Sequence, residues 1–129
     1  MTKFHRATFI ALLLLSAGCS AQTASESADA RVIDNLRQAG ANLSKPHTLE
    51  FFFYFQTEQD AQAAAKELDG LRYVVNEVRM DPDSESWTVL ATKEIVPSLA
   101  EVTASTRELE RLANEHHGQY DGWGTAVVK

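Results

Sequence analysis

Five consecutive aromatic residues, Phe51-Phe52-Phe53-Tyr54-Phe55, close the strongest strand of the sequence, which begins at Leu49. Successive side chains of a strand point to opposite faces, so a strand here is apolar on both sides. Such a strand reads as buried on both faces and belongs in the middle of a sheet.

The flanking sequence supplies the rest of that sheet. Thr57 caps a helix, with Asp60 three residues on as a variant capping box. Ala61, Ala64, Ala65 and Leu68 form its inner face, small enough to sit close to the sheet, and Gly70 ends it. Leu71 to Val78 is a second strand, with Tyr73 and Val75 alternating against Val74, Asn76 and Val78, a weaker pattern suited to an edge. Asp81 to Glu85 is a polar turn, and Trp87 to Thr92 a third strand with Trp87, Val89 and Ala91 on one face. Pro97-Ser98 opens a last helix, in which Leu99, Val102, Thr106, Leu109, Leu112, Ala113 and His116 recur at helical steps until Gly118 closes it. Gly118 to Val128 has room for a final strand, interrupted by Gly122 and Gly124. Upstream, Val32, Ile33 and Leu36 predict a short helix over Asp29–Ala39 stopped by Gly40, and Pro46 breaks the loop from Asn42 to His47. The order is a helix and then βαββαβ. It predicts an α+β, ferredoxin-like sandwich: a four-stranded antiparallel sheet with two helices on one face, its first and third strands central.

The N-terminus carries a different message. Lys3 and Arg6 precede an uncharged apolar run, Ala7 to Leu15, and small residues lead to Cys19, the sole cysteine. A basic start, a short apolar core and a small-residue cut site make a secretory signal. The run is short for a membrane span, which needs ~20 residues. Leu15-Ser16-Ala17-Gly18-Cys19 resembles the lipobox of bacterial lipoproteins, with Ser16 standing where a large aliphatic residue is usual. That resemblance implies cleavage after residue 18, lipid on Cys19 and a stable membrane tether. An uncleaved N-terminal anchor is the alternative. Either way Lys3 and Arg6 hold the start inside and leave the domain outside the cytoplasm. Ser20 in place of Asp implies, by the same resemblance, the periplasmic face of the outer membrane. The inner membrane, or the cytoplasm if the signal goes unused, are the other placements.

The chain thus divides into a signal peptide over 1–18, a small polar tether over 19–28 and a domain over 29–129. Losing Lys3 and Arg6 with the signal leaves 111 residues with 10 basic and 18 acidic side chains, a formal charge of −8. That is one small domain, and its charge repels phosphate backbones, which argues against nucleic-acid binding. With Cys19 lipidated, no thiol remains for a disulfide or a thiolate metal site.

Candidate sites are few. His116-His117 point about 100° apart on a helix and lack a third ligand, so a helix end explains them better than a metal. Asp81, Asp83 and Glu85 alternate like a calcium loop without its glycine or terminal glutamate, and read as an exposed turn. Phe51 to Phe55 and Trp87 lie where an RNA-recognition sheet stacks bases, without the basic residues that role needs; core packing on one face and partner contact on the other fits better. Ser44, Ser98 and Ser105 match no nucleophile motif. Tyr120-Asp121-Gly122-Trp123-Gly124 supplies the candidate partner-binding residues, Tyr120, Asp121 and Trp123. Glycines around Trp123 either free it as a binding hot spot or let it fold back over a sheet edge. No catalytic, metal or cofactor site is expected.

Leu43 to Phe55, the Ala61 to Leu68 helix, Trp87-Thr88-Val89-Leu90-Ala91-Thr92-Lys93 and the closing Tyr120-Asp121-Gly122-Trp123 together resemble the RraB family, the regulators of ribonuclease E activity. The resemblance covers about Asp29 to Trp123. It implies a non-catalytic domain that binds a protein, ribonuclease E in named members, and restrains RNA cleavage. That target is cytoplasmic, whereas the N-terminus reads as exported. The expected function is therefore a lipid-anchored, protein-binding regulator with an unidentified envelope partner, the alternatives being regulation of ribonuclease E itself and, last, an envelope enzyme or metal-binding domain.

Overall fold

Alternation along the aromatic run organises the molecule. The computed structural model describes residues 24–129, so the signal and Cys19 lie outside the described residues. Strand β1 spans His47–Phe55, and every second residue is buried: His47, Leu49, Phe51, Phe53 and Phe55 face inward while Glu50, Phe52 and Tyr54 face out. β1 pairs antiparallel with β3 (Trp87–Ile95) from His47↔Ile95 to Phe55↔Trp87. β3 pairs in turn with β2 (Val74–Met80), and β1 with β4 (Gly118–Gly124), giving the order β2-β3-β1-β4. This is the predicted ferredoxin-like α+β sheet with the first and third strands central. β1 is central, but only one of its faces is covered, contrary to the two-sided burial read from its composition. Both crossover helices return to the same side of the sheet, so the opposite face stays open.

The covered face is packed by three helices. Helix α1 runs over 24–38, α2 over Glu58–Gly70 and α3 over Leu99–Glu115. α1 is already helical at residue 24, so the later part of the 19–28 tether belongs to the folded domain; its first part lies outside the described residues. α2 buries Ala61, Ala64, Ala65 and Leu68, and α3 buries Val102, Thr106, Leu109, Leu112 and Ala113. α1 contributes Ile33 and Leu36, at 5% and 7% exposure. Each large apolar side chain so buried contributes about 1.5–3 kcal/mol from water exclusion.

The caps follow from local chemistry, with two corrections. Thr57 accepts from the Asp60 N–H at 3.1 Å, and Ser98 from the Glu101 N–H at 3.2 Å. Gly40, at φ +88°, closes α1: its N–H reaches the Arg37 carbonyl and that of Ala41 the Leu36 carbonyl. This is the double bond of a Schellman ending, which needs the left-handed conformation at Gly40. Gly70 does not end α2 in that way. Arg72, at φ +71°, takes the left-handed position, its N–H bonding the Asp69 carbonyl and that of Tyr73 the Leu68 carbonyl. Likewise His117, at φ +59°, rather than Gly118 makes the left-handed turn after α3. Gly118 is needed for space instead: a Cβ there would sit 2.6 Å from the Tyr54 carbonyl oxygen and inside the Phe55 ring.

β2 also departs from its sequence pattern. A bulge between Val75 and Glu77 shifts the register on β3. Val75 and Val78 therefore both turn to the core, and Glu77 and Arg79 face out opposite Leu90 and Thr88. Strict alternation had placed Val78 with Val74 and Asn76; one extra residue inverts the faces beyond the bulge.

Candidate functional site: the open face of the sheet

The uncovered face is built from the outward positions of the central strands. Phe52 and Tyr54 on β1 stand opposite Leu90 and Thr88 on β3. Each aromatic side keeps 38% of its surface exposed. On the other flank Phe52 pairs with Gly122, whose φ of +121° no other residue adopts easily and which has no side chain to cover the ring. β2 adds Glu77 and Arg79, with Arg79 Nε 3.5 Å from Glu77 Oε1. Together with Asp81 these residues line a shallow groove of about 250 Å³. Drug-sized ligands occupy pockets of ~300–1,000 Å³, so the groove suits one side chain of a larger partner better than a whole small ligand.

Asp81 fixes one end of the groove. Its carboxylate accepts from the Asp83 N–H at 3.0 Å and the Ser84 hydroxyl at 2.9 Å. The Asp83 N–H first, and Ser84 next, hold its carboxyl below the usual carboxylate range. The turn is closed by its main chain as well: Glu85 donates its N–H back to the Asp81 carbonyl at 2.9 Å.

The candidate residues near the C-terminus separate. Tyr120 and Trp123 pair with Phe53 and Phe51, on the inward register of β1. The Tyr120 ring lies 5.3 Å from that of Phe53, and both side chains pack against the core. Asp121 is the extra residue of a second bulge and is exposed. The three are thus not presented on one surface, and Trp123 takes the folded-back alternative. Its indole Nε1 donates to Asp29 Oδ1 at 3.0 Å, tying α1 to β4. Ser25 on α1 donates to Glu110 on α3 at 2.8 Å.

Asp29 is 4% exposed. Burial raises its carboxyl above the ordinary value; the Trp123 indole and Thr106 hydroxyl pull the other way, and Glu110 and Glu26 add to the rise. Asp29 Oδ2, Thr106 Oγ1 and the Tyr120 hydroxyl make no hydrogen bond of standard geometry among the described residues, Thr106 lying close to the carboxylate without good alignment. Tyr73, whose hydroxyl donates to Glu108 Oε1 at 3.1 Å, is pushed up to about 12, chiefly by burial. Sequence reasoning missed this polar seam. The one signal for it was an acid, Asp29, on the apolar stripe of α1 four residues before Ile33.

The histidines diverge toward different carboxylates of α2. His116 Nε2 lies 3.4 Å from Glu67 Oε2, and His117 Nδ1 lies 3.6 Å from Asp60 Oδ1. Among the described residues no three His, Cys, Asp or Glu side chains converge as a metal site would require. Ser98 is a helix cap, and Ser44 donates to Asn42 Oδ1 within the loop before β1.

The fold and groove define a class: a ferredoxin-like α+β domain that closes one sheet face with helices and leaves an aromatic, acid-flanked face open. Comparison with known proteins narrows it. The family model described as Regulator of ribonuclease activity B matches residues 26–125, and the chain belongs to that family. It is similar to the Regulator of ribonuclease activity B of Pseudoalteromonas atlantica, 25% identical over 100 residues, covering 75% of this chain and 86% of that protein.

Proposed function

We propose that this chain is a regulator of ribonuclease activity that acts by binding a protein through the open face of its sheet, with no catalysis of its own. The observation that carries the regulatory part is the family match, which takes in α1 from residue 26 and every later helix and strand to the end of β4. Support for the open face comes from its exposed aromatics. Burying Phe52, Tyr54 and Leu90 against a partner recovers apolar area that folding leaves in water. By family resemblance the target is ribonuclease E. Adding the purified full chain to ribonuclease E and a labelled RNA tests this: cleavage slows in proportion to complex formed. An unchanged rate at saturating concentrations contradicts it.

A second reading is favoured by Leu15-Ser16-Ala17-Gly18-Cys19. Here the domain is lipid-anchored through Cys19 on the periplasmic face of the outer membrane, and its partner is an envelope protein. The two readings differ in compartment and share the binding face. Metabolic labelling with a palmitate analogue and cell fractionation separate them: the anchored protein is labelled and membrane-bound, and Cys19→Ala abolishes the label. A cytoplasmic, unlabelled protein in both forms removes this reading.

A further inference from the structure

We infer that the partner segment seated on the open face is an arginine-bearing peptide, with an arginine in the groove beside Phe52 and Tyr54 and an apolar neighbour on Leu90. This rests on the reading of the open face as the binding surface and names the chemistry of what binds there.

The argument is charge and shape together. The outward positions of the strands carry three acids, Glu50, Glu77 and Glu94, against one base, Arg79. Arg79 is already 3.5 Å from Glu77, and its side chain is 69% exposed, so it leaves the groove largely unfilled. Asp81 brings a further carboxylate to the groove wall. Glu77 and Asp81 on the groove wall, with Glu50 further along β1, set carboxylates beside apolar rings, which disfavours an acidic or phosphate-bearing ligand and a purely apolar one alike. A guanidinium meets both demands: its plane stacks on aromatic rings, and its edge pairs bidentately with a carboxylate. A lysine ammonium offers a point charge and keeps its hydration more strongly, so it fits less well. A groove of about 250 Å³ takes one such side chain.

The test titrates the full chain with three fluorescent ten-residue peptides, each an Arg-Leu-Arg, Lys-Leu-Lys or Glu-Leu-Glu core in a Gly/Ser frame, read by anisotropy and by amide shift mapping. The arginine peptide binds, with shifts centred on Phe52, Tyr54 and Leu90. The lysine peptide binds several-fold more weakly and the glutamate peptide does not bind. Tyr54→Ser weakens the arginine peptide about tenfold, as loss of a single anchor does. The Glu50→Gln/Glu77→Gln pair does so too, and flattens the salt dependence. Tyr54 is 38% exposed and both acids are solvent-facing, so these variants stay folded at the titration temperature, which thermal melts check. No binding by the arginine peptide, equal binding by all variants, or shifts confined to the helical face overturns the inference. A ribonuclease slowed by the chain while the arginine peptide fails to bind overturns the inference and leaves the regulatory reading standing. An arginine peptide bound as described beside an unaffected ribonuclease does the reverse.

Discussion

Three residues, Gly118, Arg72 and Asp29, make single-site effects that can be measured one at a time. Gly118 has no room for a methyl group between the Phe55 ring and the Tyr54 carbonyl. Gly118→Ala is therefore expected to cost about 1–3 kcal/mol, as overpacking does, measured by urea unfolding. Arg72 sits at φ +71° in the left-handed conformation after α2, where an L side chain is disfavoured by ~1 kcal/mol or more. Arg72→Gly is expected to raise stability by about 0.5–1 kcal/mol, the usual gain when glycine takes a helix-ending position. Neither effect was legible in the sequence, where Gly70 and Gly118 looked like the helix stops. Glycine marks a permitted conformation, and only the backbone path shows which residue needs it. Asp29 offers a pH test. Its folded carboxyl is raised by burial, so ionising it opposes folding. That penalty is absent below the ordinary carboxyl value and develops as pH rises through the raised folded one. Asp29→Asn, which keeps an oxygen for the Trp123 indole, is expected to gain stability over wild type at pH 7 and not at pH 3, read by thermal melts at both.

At the level of elements, the pattern of apolar residues located the first three strands and both crossover helices, because a buried face imposes its period on the sequence; the fourth strand was read from the room left after Gly118. It failed where one residue breaks that period. The bulge after Val75 turns Glu77 and Arg79 outward, and with them goes part of the groove. The bulge at Asp121 lets Tyr120 and Trp123, three residues apart, pair with Phe53 and Phe51, two residues apart, so that both point inward. Bulges leave no periodic trace, so Glu77 and Arg79 could not be placed on the groove in advance. The outward Phe52 and Tyr54 were visible as aromatic residues, but their exposure depends on both crossover helices choosing the same face. α1 is an integral element by the same argument. It buries Ile33 and Leu36 and receives the Trp123 indole bond. Trp123→Phe removes that donor and leaves a buried carboxylate unpaired, an expected loss of about 1–3 kcal/mol. The change is measured as a shift in the urea midpoint at constant m-value.

For the whole molecule, one face builds stability, and the other is open and is the face proposed here for recognition. The helical face holds the core together with buried tyrosines. Tyr73 keeps its proton up to about 12 when folded, while an unfolded tyrosine ionises near 10. Stability is therefore unaffected by this group below pH 10 and falls as pH rises from 10 to 12. Phe52 and Tyr54 are each 38% exposed and lie outside the helix-covered core, so Phe52→Ser/Tyr54→Ser lowers the melting temperature but leaves the chain folded at the assay temperature. The same pair removes the two largest exposed aromatic surfaces of the groove. Cleavage of a labelled RNA by ribonuclease E, measured with wild-type full chain and with that double variant at equal concentrations, tests the central claim most directly. Wild type slows cleavage and the variant, equally folded, does not. Equal slowing by both would contradict the account.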